Sequence, residues 1–173
     1  MSLSSDSNTI NALGIFGRMS PKDEKYFQEI EKKYSKFPNN EKSKDFFNHL
    51  SLVINNNVIV NEISDYLDLL KVLKPFLPLK ITISEIIIID ESHLALSFDI
   101  NQTKEIRNLA MKYIPNGIIE THYTKVVWSV PKENQEKVKK ELEKIKEMTF
   151  FDFILIANKQ NDANTIYSSN KYI

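Results

Sequence analysis

The chain has no cysteine, only three glycines and only two arginines, Arg18 and Arg107, among its 173 residues. Without cysteine there is no disulfide, no thiolate nucleophile and no cysteine-ligated zinc, and a reducing compartment suits such a chain. No glycine-rich loop follows any predicted strand, which argues against a P-loop or a dinucleotide-binding turn. With so few arginines, phosphate contacts fall mostly to lysines and hydroxyls. No apolar run approaches the roughly 20 residues of a membrane span. The 23 basic and 23 acidic residues cancel, so the chain is not built to coat nucleic acid non-specifically, although a local basic cleft is compatible with that balance. Met1 to Asn8 is polar and serine-rich, unlike a secretory signal. These residues are expected to be disordered or vector-derived, and the cytoplasm is the default location.

The remainder, 9–173, reads as a single domain. Its 42% hydrophobic and 27% charged residues are ordinary for a globular protein. Thr9 to Phe16 is predicted as a strand. Ser20-Pro21-Lys22-Asp23 is a helix start, and Tyr26, Phe27, Ile30 and Tyr34 follow at helical spacing until Pro38-Asn39-Asn40. Phe46 to Ile54 is the second strand and Asn55-Asn56-Asn57 a loop. Ile63, Tyr66, Leu67, Leu70 and Leu73 make an apolar helical stripe that Pro75 and Pro78 stop. Ile81 to Ile89 is one long β-branched run, joined by Asp90-Glu91-Ser92 to an alternating strand through Ile100, a predicted β-hairpin. Asn101 is the expected N-cap of a helix that Pro115-Asn116-Gly117 ends. A strand over Glu120 to Val130, a charged helix from Pro131 to Met148 and strands over Thr149 to Ala157 and Thr165 to Tyr172 complete the chain. The polar stretch Asn158 to Asn164 joins the last two. Adjacent strand pairs favour an α+β fold with mostly antiparallel sheets.

All three histidines lie in or beside predicted strands. His49 is followed two residues on by Ser51, and His122 by Thr124. Successive strand residues alternate faces, so each motif places imidazole and hydroxyl on one face of its strand. His93 is followed by Ala95 and offers an internal contrast; with Asp90 and Glu91 it would make a metal site only if further ligands came from elsewhere. Thr9–Ile54 and Ser92–Val130 share the order strand, helix, strand bearing His-x-Ser/Thr. Two pseudo-equivalent halves facing each other across a cleft would supply one histidine each. An unperturbed imidazole titrates near pH ~6.5. One neutral and one protonated ring can therefore act as base and acid on opposite sides of a phosphorus centre. Ser51 and Thr124 would hydrogen-bond the non-bridging oxygens, where charge builds. Such chemistry needs no metal and no cofactor.

In these motifs, His49-Leu50-Ser51-Leu52 and His122-Tyr123-Thr124-Lys125, and in element order from Thr9 onward, the chain resembles the two-histidine phosphoesterase superfamily. That superfamily includes 2'-5' RNA ligase-like proteins and cyclic nucleotide phosphodiesterases. The resemblance implies a bilobed, pseudo-two-fold α+β fold, with mostly antiparallel sheets facing a central cleft and helices outside. It implies a metal-independent phosphodiesterase acting on a 2',3'-cyclic phosphate or 2'-5' phosphodiester of a nucleotide or RNA end. His49 and His122 would be the acid–base pair and Ser51 and Thr124 the phosphate-binding groups. Lys125, Arg18 and Tyr167 are weaker candidates for substrate contact, with Lys22, Tyr113, Tyr123 and Trp128 behind them. No membrane is implied, and a monomer is the default. Lys125 stands where the first motif has Leu52. Either its strand has a more exposed back face or its register differs. Two alternatives stay open: a binding module of the same fold that holds a nucleotide or RNA end without turnover, and an unrelated α+β protein in which the motifs are chance.

Overall fold

The structure, a computed structural model, describes residues 9–36, 49–59, 62–119, 122–159 and 162–168. The expected strand residues Phe46 to Asn48, the Pro38 helix stop and Met1 to Asn8 lie outside them. Strand β1 (Thr9–Met19) runs into helix α1 (Pro21–Tyr34). Ser20 caps that helix, its hydroxyl accepting from the Asp23 N–H at 3.3 Å, and Pro21 occupies the first turn, where its missing N–H costs nothing. Asp23 and Glu24 at the start and Lys32 and Lys33 at the end complement the helix dipole.

Strand β2 (His49–Ile59) returns antiparallel beside β1 and continues through Asn55-Asn56-Asn57, where a loop was expected. Asn55 and Asn56 pair there with Leu13 and Ala12 of β1. Helix α2 (Ile63–Leu73) buries Tyr66, Leu69, Leu70 and Leu73. The run Ile81–Ile89 is not one strand. It divides at Ile83-Ser84 into β3 (Leu79–Thr82) and β4 (Glu85–Ile89), which belong to different sheets. Strand β5 (His93–Ser97) completes the hairpin with β4.

An Asp99-capped 3-10 turn, Ile100–Thr103, precedes helix α3 (Lys104–Tyr113), so Asp99 takes the capping role expected of Asn101. Strand β6 (Tyr123–Val127) pairs with β5. Helix α4 (Lys132–Leu142) ends before the expected Met148, which belongs instead to strand β7 (Glu147–Lys159). Strand β8 (Asp162–Ser168) pairs with β7 and starts inside the expected loop.

The fold is α+β, with two antiparallel sheets. One has the order β2-β1-β7-β3 with β8 also on β7, and the other the order β4-β5-β6. The expected correspondence of halves is visible in the order: β1 pairs antiparallel with β2 across α1, as β5 does with β6 across α3. The sheets meet where β2 approaches β6. There Ile54 and Ile118 exchange backbone hydrogen bonds of 2.9 and 2.7 Å.

Helices cover one face. Phe27 and Ile30 of α1 and Val138 and Leu142 of α4 pack with Leu94, Leu96, Val126 and Val127 of the smaller sheet. Tyr66, Leu69, Leu70, Ile106 and Ala110 of α2 and α3 pack with Leu13, Ile15, Leu52, Val53, Phe153 and Leu155 of the larger one. The opposite, inner face carries a small separate cluster of Phe16, Ile154 and Ile156, with Ile54 against it. Among the described residues no helix is long and apolar enough to cross a membrane.

Candidate active site

Strand β2 presents its first motif through a bulge. Ile15 pairs with Val53 but Phe16 pairs with Ser51, so Leu52 is an extra residue. The bulge lets Leu50, Leu52 and Val53 all enter the helix-side core, fully buried, while His49 and Ser51 keep the inner face. Antiparallel partners share a face. The inner row through His49 therefore continues to Arg18 on β1 and Asp152 on β7, and the row through Ser51 continues to Phe16 and Ile154. The Phe16 ring meets the His49 imidazole at 4.7 Å between centroids.

His49 and Ser51 thus share one face of one sheet, as the first motif predicted, and Arg18 lies beside His49 on that face. Asp152, only 4% exposed, and Phe16 were not singled out from sequence. The available signal for Asp152 was its position as the one acid in the apolar run Thr149 to Ala157.

Arg18 also acts on the start of α1. Burial pushes the Glu24 carboxyl above the usual carboxylate range, and the Arg18 charge offsets part of that rise. Glu24 Oε1 is buried without a hydrogen-bond partner.

The second motif is placed differently. Thr124 pairs with Leu96, a residue of the helix-side core. Thr124 is 1% exposed and its Oγ1 has no hydrogen-bond partner. The expectation that Thr124 offers its hydroxyl to the cleft does not match this position. Lys125 itself pairs with Ala95, one residue along from the Leu96–Thr124 pair. Alternation on β6 puts Thr124 and Val126 against the helices and leaves Tyr123 and Lys125 on the inner face, opposite Ser97 and Ala95. A lysine buried among Phe27, Ile30 and Leu96 would have no partner for its charge, and that cost sets the choice. His122 precedes β6 and is exposed. Its carbonyl accepts from the Phe98 N–H at 3.0 Å, and its ring meets that of Tyr123 edge-on at 4.8 Å. Tyr167 stands opposite Leu155 in the β7–β8 register.

Lys125 makes a salt bridge of 2.9 Å to Asp90, and its Nζ lies 5.2 Å from the Trp128 ring centroid. The hydrogen bond from Lys125, and then its charge, hold the Asp90 carboxyl below its ordinary range. His93 accepts from the Ser129 N–H through Nδ1 at 3.0 Å, and its ring lies 4.6 Å from that of Trp128. Asp90 and His93 therefore serve the β4–β5 turn and the end of β6, and with Glu91 they do not converge on a common point. Lys22 lies in the first turn of α1 and Tyr113 in the last turn of α3.

No protein-family model matches the chain, and no curated protein does. Solved structures do match. E. coli LigT complexed with phosphate is 12% identical and superposes with a TM-score of 0.58 over 93% of this chain and 96% of its own. E. coli LigT complexed with 3'-AMP is 10% identical with a TM-score of 0.57 over the same shares, 93% and 96%. A crystal structure of a phosphoesterase is 11% identical with a TM-score of 0.56, covering 91% of this chain and 96% of its own. At these identities the likeness is one of fold.

Proposed function

We propose that this chain, which carries the LigT-like two-histidine phosphoesterase fold, is a metal-independent phosphodiesterase of a 2',3'-cyclic phosphate or 2'-5' phosphodiester in a nucleotide or RNA end. The observation that carries the proposal is the placement of His49 and Ser51 together on the inner face of β2, in the strand whose Ile54 bridges Ile118, four residues before His122 of the second motif. In this assignment His49 and His122 are the acid–base pair. One neutral imidazole takes a proton from water as its oxygen bonds to phosphorus. The bond to the ribose oxygen breaks, and the other, protonated imidazole gives that oxygen its proton. Ser51 donates a hydrogen bond to a non-bridging oxygen, and Arg18 and Lys125 offset the substrate's negative charge. Thr124 is left out because its hydroxyl lies on the helix face.

The test is a panel of 2',3'-cyclic nucleotides, 2'-5' and 3'-5' dinucleotides and RNA with a cyclic phosphate end, run with chelator present. His49→Ala and His122→Ala are each expected to cost roughly 10²–10⁴-fold in turnover with the fold retained by circular dichroism. Full activity in both variants places the chemistry elsewhere. A second reading, a binding module of the same fold, is favoured by the enclosed Thr124 hydroxyl. Binding that survives both substitutions, with no product from any substrate, selects it.

A further inference from the structure

The end of β6 is built with unusual care for a segment outside the two histidine motifs. The Trp128 N–H donates to Glu31 Oε1 at 2.8 Å, and its carbonyl accepts from the Ser35 hydroxyl at 2.6 Å. The Ser129 N–H donates to His93, and its carbonyl accepts from the Lys36 N–H at 3.0 Å. Both peptide units are thus held by groups from α1, its C-terminal end and β5. Ser129 has a φ of 54°, and Asp90 and Glu91 in the facing turn have 50° and 64°. Three non-glycine residues in the left-handed region at one end of one sheet is the kind of strain that surrounding structure must hold in place. The turn is pinned in its turn: Gln135 donates to the Glu91 carbonyl at 2.8 Å, and the Val130 N–H to that of Ser92 at 2.8 Å.

The result is a half-buried indole in a fixed place with an ammonium beside it. Lys125 shares the inner face of β6 with Tyr123. The Lys125–Asp90 pair is exposed, with side chains 24% and 66% accessible. Such a pair contributes little to stability, so Lys125 can exchange Asp90 for a phosphate at small cost.

We propose that Lys125 and Trp128 form a nucleotide subsite beside the His49–Ser51 site. Trp128 stacks on a base and Lys125 takes the phosphate adjoining the scissile one, so that the substrate is an oligoribonucleotide end rather than a free mononucleotide. The subsite rests on the inner face being a phosphodiester site. Stacking on an aromatic ring is tolerant of base identity, and a lone lysine reads charge, so the subsite selects strand length and not sequence.

The test uses the full chain with hexauridylate ending in a 2',3'-cyclic phosphate, compared with uridine 2',3'-cyclic phosphate. Trp128 is the chain's one tryptophan, so intrinsic fluorescence reports its contacts directly. Hexauridylate is expected to quench that fluorescence and to bind roughly tenfold more tightly than the mononucleotide. Lys125→Ala is expected to erase most of that advantage and to reduce the log–log salt slope for hexauridylate by about 0.7, one phosphate contact on a single strand. Asp90→Ala, which releases Lys125, tightens hexauridylate binding. Trp128→Ala, followed by anisotropy of labelled hexauridylate, loses the advantage; should that variant misfold, the Lys125 and Asp90 variants decide. Equal affinity for the two probes, or an unchanged salt slope in Lys125→Ala, overturns the subsite. Quenching without turnover keeps the subsite and removes the catalytic role. Turnover of the mononucleotide with no gain for hexauridylate does the reverse.

Discussion

Phe16 sets its ring edge-on to the imidazole of His49, 83° between planes at a centroid distance of 4.7 Å. The positive edge of one ring against the face of the other is the favoured arrangement of such pairs. Phe16 belongs to the inner-face cluster with Ile154 and Ile156, so it ties the histidine to a packed wall. Phe16→Leu keeps most of the buried volume and removes the ring contact. It is expected to cost about 1 kcal/mol in urea denaturation and to lower turnover severalfold by loosening His49. Phe16→Ala is expected to cost about 3–5 kcal/mol. Unchanged turnover in a folded Phe16→Leu protein would show that His49 needs no such wall.

Thr124 gives a sharper test, because its buried hydroxyl has no partner. Thr124→Val keeps the shape and removes the unpaired polar atom. The expected result is a gain in stability on the order of 1 kcal/mol with activity unchanged. A large loss of activity with intact stability would mean that β6 turns this face inward during catalysis and that Thr124 holds the phosphate after all.

Glu24 predicts a pH effect. Its carboxyl is buried and its pKa is raised in the folded chain, so the folded state favours the protonated form. The stability this contributes is present below the ordinary carboxylate pKa of 4.5 and is lost as pH rises through the higher folded value. Glu24→Gln removes that titration. The variant is expected to be more stable than wild type at neutral pH, with the difference shrinking toward pH 4 in denaturation measured across that range. A difference independent of pH would exclude Glu24 as its source.

Gln102 pairs with Thr82 as a strand would. The Thr82 N–H donates to Gln102 Oε1 and the Gln102 amide donates to the Thr82 carbonyl, both at 2.8 Å. The contact is exposed, so Gln102→Ala is expected to cost only about 1 kcal/mol. Its signature is local: hydrogen exchange at the Thr82 amide should accelerate while amides in the middle of β7 do not change.

Much of this architecture was legible in the residues, and the failures have physical causes. Ser20-Pro21 marked a helix start because capping is local chemistry, and the α2 stripe marked a buried helix because burial is periodic. The first motif was placed correctly because Leu50 and Leu52 flank Ser51, and apolar neighbours force the polar pair to the other face. The second motif had the opposite mark in plain view. Tyr123 and Lys125 flank Thr124, and a lysine beside the hydroxyl says that the hydroxyl's own side is the buried one. The largely β-branched Ile81–Ile89 concealed a change of sheet, since a strand that leaves one sheet for another keeps its period; Ser84-Glu85 was the interruption that marked it. The end of α4 was hidden for a different reason. No glycine closes it, and lysines and glutamates continue past Leu142 in the same pattern.

That change of sheet has a mechanical consequence. Ile83 donates its N–H to Lys146, at the entry to β7, and the adjacent Ser84 donates to Ser97 at the end of β5, at 2.9 and 2.8 Å. Two neighbouring peptide groups are thus sewn to opposite halves of the molecule, and across the inner face Ile54 and Ile118 make a second stitch. Any motion of one sheet against the other must therefore break these backbone hydrogen bonds or turn about the line that joins them.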